Sequence, residues 1–147
     1  MTTLKSYFPR ITSIFTLLFA LLMITSCVSK TEFLASKIVP AARGDVKIKK
    51  DKNLNYQIQL QVQYLAESDR LQPPRNTYVI WMDNALNQTK NIGQFNTSAH
   101  SPSTNLKASF EAVSSTKPVR VYISAEDDPA ASYPSSQIVL TTDRILK

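Results

Sequence analysis

The sequence predicts an all-β fold: an immunoglobulin-like antiparallel β-sandwich of about seven strands, following a cleaved signal peptide. Three observations lead there. Tyr56–Leu65 (YQIQLQVQYL) sets Tyr56, Ile58, Leu60, Val62 and Tyr64 in alternation with four glutamines, and a period of two sends the two sets to opposite faces of a strand. Asn76–Asp83 (NTYVIWMD) is β-branched and aromatic throughout, the composition of a central strand buried on much of both faces. Between Gly44 and Thr142 such short segments recur, separated by Pro-, Asn- and Ser-bearing turns, with no sustained helical period; that spacing is the mark of a sandwich.

Ahead of these strands, Lys5 and Arg10 precede Ile11–Ile24, a 14-residue apolar run interrupted only by Thr12, Ser13 and Thr16, and then Thr25 and Ser26 are small and polar. A charged start, a short apolar core and a small-residue exit make a signal peptide. The run is shorter than the roughly 20 apolar residues a helix needs to span a bilayer. Its end, Leu22-Met23-Ile24-Thr25-Ser26-Cys27, resembles the bacterial lipobox. The resemblance implies cleavage between Ser26 and Cys27, diacylglycerol on the Cys27 thiol, and acylation (palmitate or a similar chain) of the new amino group. Two or three acyl chains hold a protein at a membrane stably, where one binds only marginally. The competing reading is a buried free cysteine behind an uncleaved anchor helix. Val28 rather than Asp at the next position, by resemblance to Gram-negative sorting, permits delivery to the outer membrane in a Gram-negative envelope.

The chain is then expected in three parts: residues 1–26 as signal peptide, 27–43 as lipidated Cys27 and tether, and 44–147 as the sandwich. Within the tether, Thr31–Val39 is expected to form a turn or two of helix, ended by Pro40. Fully extended, Val28–Arg43 reaches roughly 50 Å. Gly44–Lys50 alternates Val46 and Ile48 with Asp45, Lys47 and Lys49, a short strand with one wet face. After Tyr56–Leu65, the Glu67–Arg75 loop is stiffened by Pro73-Pro74, and Asn84–Asn91 reads as a polar turn behind the central strand. Ile92–Thr97, Leu106–Ala112, Val119–Ala125 and Gln137–Thr142 complete the strands, with an acidic, proline-bearing loop over Glu126–Ser136.

Loss of the signal removes Lys5 and Arg10, leaving 15 basic residues against 11 acidic, a net +4, with Lys47, Lys49, Lys50 and Lys52 clustered. The 121 residues that remain suffice for one domain, and with Cys27 the only cysteine no intramolecular disulfide can form. Gly44 and Gly93 are the only glycines, which excludes a Gly-rich phosphate loop. The lone histidine, His100, lies in a Ser/Pro/Asn loop without the partner that nucleophilic catalysis requires. Glu126, Asp127 and Asp128 offer oxygen ligands for a hard cation, but without the alternating spacing of a calcium loop; a solvated acidic turn is the plainer reading. The lysine cluster either meets anionic lipid or glycan or protects an edge strand from pairing. Nucleic acid is not an expected partner, because no aromatic residues interleave with the charge. No catalytic residue, metal site or cofactor is expected. Trp81 is expected in the core, and the glutamine row is either a wet face or a sugar-binding one.

Tyr78-Val79-Ile80-Trp81-Met82 followed by Ile92-Gly93-Gln94-Phe95 is similar to the core of the extracytoplasmic domain of anti-sigma-K factors. Val119–Glu126 followed by Pro134–Leu140 resembles that family's closing pair of strands. The resemblance implies the fold. It does not carry over sigma-factor regulation, since that family places a sigma-binding domain and a transmembrane helix before this one, and the proline usual after Glu126 stands at Pro129. The expected protein is therefore a non-enzymatic bacterial envelope lipoprotein, a binding or accessory module facing the periplasm or exterior. Its expected partners are the membrane, through the anchor, and an envelope protein. The alternatives are a sensor or regulatory domain related to anti-sigma factors, and a cation- or glycan-binding lipoprotein.

Overall fold

The computed structural model describes residues 28–95 and 107–145. Cys27 with the expected signal peptide, and the stretch holding His100, lie outside the described residues. Eight strands follow in order: β1 (Val28–Glu32), β2 (Arg43–Lys50), β3 (Tyr56–Gln63), β4 (Thr77–Asn84), β5 (Thr89–Phe95), β6 (Lys107–Ser114), β7 (Pro118–Glu126) and β8 (Ile138–Thr141), with one 3-10 turn at Ser68–Arg70. They form two antiparallel four-stranded sheets, sheet 1 in the order β1-β2-β3-β6 and sheet 2 in the order β5-β4-β7-β8. The chain crosses between sheets after β3, β5 and β6, and β7 stays with β8 in sheet 2. Seven strands, β2 to β8, thus reproduce an immunoglobulin-like sandwich, and β1 is an addition to it.

The core lies between the sheets and follows from alternation. Val46 and Ile48 of β2 and Ile58, Leu60 and Val62 of β3 point inward, and Tyr78, Ile80 and Met82 of β4 meet them with Val121 and Ile123 of β7 and Leu140 of β8. Each such aliphatic side chain stabilises the fold by about 1.5–3 kcal/mol. Phe95 and Phe110 close the β5–β6 edge with ring centroids 6.2 Å apart and planes at 81°, an edge-to-face contact. A β-bulge beside them explains Gly93. The register shifts between Ile80 and Trp81, so Ile80 faces Gly93 and Trp81 faces Asn91. Gly93 has φ +144°, and the Phe110 ring lies 2.5 Å from where a Cβ would sit.

Four expectations are corrected. Val28–Glu32 is no tether but an edge strand paired along its length with β2, from Val28 opposite Lys49 to Glu32 opposite Asp45. The expected helix over Thr31–Val39 is absent; Phe33 bridges to Thr142, and the segment beyond folds back so that Ser36 and Val39 are buried. Asn84–Asn91 is not all turn, because Thr89–Asn91 already pair with β4. The apolar face of β3 stops short of Tyr64, which has φ +58° and is 45% exposed, while Leu65 is buried in its place. A left-handed residue reverses the direction of the next side chain, and the alternation of the sequence does not reveal it.

Candidate functional site

The two outer faces differ in kind. On sheet 2, Val79 and Trp81 of β4 and Tyr122 of β7 point away from the main core yet are buried, packed with Ala131 of the loop after β7. Trp81 is therefore buried as expected, but in a second small core outside the sandwich. Its indole N–H donates to Ser124 Oγ at 2.7 Å, and the Ser124 hydroxyl donates to Glu126 Oε1. The Ser135 amide also donates to Glu126 Oε1, at 2.7 Å. Asn91 Nδ2 pins the covering loop by donating to the carbonyls of Pro129 (2.9 Å) and Ala131 (3.2 Å).

This geometry disperses the acidic trio. Glu126 is buried in the indole–hydroxyl chain, Asp127 pairs with the Arg75 guanidinium, and Asp128 Oδ1 accepts the Ala130 amide at 2.8 Å. Each carboxylate has its own internal contact; Glu126 departs from the solvated turn the sequence suggests, whereas Asp127 and Asp128 are exposed and keep to it. Among the described residues, no three His, Cys, Asp or Glu side chains gather as a metal site.

A cluster that sequence reasoning missed joins three strands at one end of sheet 2. Asp83 accepts Thr89 Oγ1 at 2.7 Å and Arg120 Nε at 2.8 Å, and the Arg120 guanidinium lies 4.8 Å from the Tyr122 ring centroid. An open cleft of about 610 Å³ adjoins it, also lined by Asn84, Asn87 and Arg144. The carboxylate and guanidinium neutralise each other. Burial pushes the Tyr122 phenol up, with Thr89 and Arg120 opposing and Asp83 assisting. Burial also drives the Tyr78 phenol up, helped by Asp69, while its hydroxyl donates to the Ala66 carbonyl at 2.9 Å. Both phenols stay protonated at neutral pH and so remain hydrogen-bond donors.

Sheet 1 presents the opposite surface, with no loop against it among the described residues. Register places its outward side chains in rows across the strands: Val28, Lys49, Gln57 and Val113; then Lys30, Lys47, Gln59 and Glu111; then Glu32, Asp45, Gln61 and Ser109; then Arg43, Gln63 and Lys107. Gln59 Nε2 donates to Glu111 at 3.0 Å, and Lys30 reaches Asp45 at 3.7 Å. The remaining glutamine amides are exposed. A flat array of amides, lysines and scattered carboxylates is a hydrogen-bonding surface for a polar partner. β2 lies inside the sheet, flanked by β1 and β3. Its lysines therefore protect no edge, contrary to one of the two readings of that cluster.

No protein-family model matches the chain, and no curated protein or solved structure is similar to it.

Proposed function

We propose that the protein is a lipid-anchored component of a bacterial cell envelope, attached through Cys27, and that its sandwich is a non-enzymatic binding module whose polar sheet 1 face meets an envelope protein. The observation that carries this reading is the placement of Cys27, at the end of a lipobox-like Leu22–Cys27 segment and directly before the first strand at Val28. The glutamine and lysine face supports the second half, since it is extended, hydrogen-bonding and, among the described residues, exposed. Anchoring and a polar face require no active site.

A photo-crosslinking side chain at Gln61, on this face, tests the module in intact envelopes of a bacterium making the full chain. A defined protein adduct is expected from Gln61 and not from Tyr133, which is 81% exposed on the loop covering sheet 2. No adduct from Gln61, or the same adducts from both positions, contradicts the binding face. The regulatory reading keeps one support: the stretches similar to anti-sigma-K factors fall on β4, β5, β7 and β8, which together make up sheet 2.

A further inference from the structure

We propose that the β2–β3 hairpin end of sheet 1 is a docking surface for the anionic phospholipid headgroups of the bilayer that holds the anchor. The inference rests on lipidation of Cys27 for its geometry and goes beyond it in assigning a lipid-recognising surface to the fold itself. Because β1 begins at Val28 and Val28 lies opposite Lys49, no free tether separates the acylated residue from this corner. The bilayer surface is therefore within one residue of the sheet.

What lies at the corner suits that surface. Lys49, Lys50 and Lys52 are exposed, Lys47 is partly so, and among the described residues none of the four belongs to an ion pair. Lys47 stands directly opposite Lys30 on the neighbouring strand, and since Asp45 pairs with Lys30 at 3.7 Å, Lys47 itself is left without a counter-ion among the described residues. The hairpin's one carboxylate is turned onto its own backbone, Asp51 Oδ1 accepting the amides of Asn53 and Asn55 at 2.8 Å each. That leaves the tip with its lysines and with Leu54, 66% exposed and held at φ +66°. Cations with long apolar stems around one protruding leucine match a headgroup layer, where the ammonium groups meet phosphates and the apolar parts enter the interface. The lower rows, with Glu32 and Asp45, remain clear of the lipid for a partner.

The test uses the mature lipidated protein in vesicles. Acylation leaves no free thiol at Cys27, so Leu54→Cys carries an environment-sensitive dye alone, and shielding from the neutral quencher acrylamide is read. Quenching is expected to fall at least threefold in vesicles with 30% phosphatidylglycerol relative to pure phosphatidylcholine, and to recover in 1 M salt, where the screening length is about 3 Å. The variant Lys47→Gln, Lys49→Gln, Lys50→Gln, Lys52→Gln, with unchanged melting, is expected to restore the phosphatidylcholine value, since each lysine is worth about fivefold in surface affinity. A dye at Tyr133→Cys is expected to stay accessible in both vesicles. Equal shielding in the two lipids, shielding that survives loss of the lysines, or equal shielding at Tyr133 overturns the docking surface. Failure of the protein to enter vesicles at all overturns the anchor instead, so the two claims fail separately.

Discussion

β3 and β4 are both central strands of eight residues, and they could hardly be used more differently. β3 buries alternate residues and leaves its glutamines in water; β4 buries seven of eight, because a loop closes over its second face. In sheet 2 the sequence after β7 supplies Ala131 and Ser135, and Asn91 holds that loop in place, so both faces contribute to stability. In sheet 1 the inner face carries the core, and the outer face holds only exposed polar contacts such as Gln59 to Glu111. The lesson is a division of labour: substitutions on the outer face of sheet 2 act on folding, and those on the outer face of sheet 1 are free to be selected for contact.

The difference predicts a graded series. Trp81→Ala removes the largest fully buried side chain and opens a cavity under the covering loop; a loss of about 3–5 kcal/mol is expected by denaturant unfolding. A change below 1 kcal/mol would mean that the loop does not seal this face. Glu126→Ala strips the acceptor from Ser124 and Ser135, both of which donate to it. About 1.5–3 kcal/mol is expected, as for hydrogen bonds to a charged group, and equal stability of the two proteins in parallel melts would show the chain of bonds to be idle. Gln61→Ala, by contrast, is expected to change stability by less than about 0.5 kcal/mol; a larger loss would make sheet 1's outer face structural and blur the contrast.

Much of the sandwich was legible because period-two alternation is imposed by the backbone itself. Ile58, Leu60 and Val62 could be assigned to the core on that ground, and β4's apolar run to the centre of a sheet. β1 was not legible: Val28–Glu32 (VSKTE) alternates weakly, its side chains are nearly all exposed, and only pairing with β2 makes it a strand. The outward position of Trp81 was hidden for a similar reason, since it depends on where a loop some 50 residues later comes to rest. The Asp83–Thr89–Arg120 cluster joins three strands and leaves no spacing to read. The lysines and glutamines of sheet 1 were visible as patterns, but register alone lined them up in rows.

The account stands or falls on Cys27. Metabolic labelling with a radioactive fatty acid, followed by the intact mass of the membrane-purified protein, measures it directly. The account predicts label on the wild type, a chain starting at Cys27 with diacylglycerol attached, and an unlabelled, full-length precursor for Cys27→Ser. Label or normal maturation in Cys27→Ser, or an unmodified cysteine in the purified protein, would contradict it.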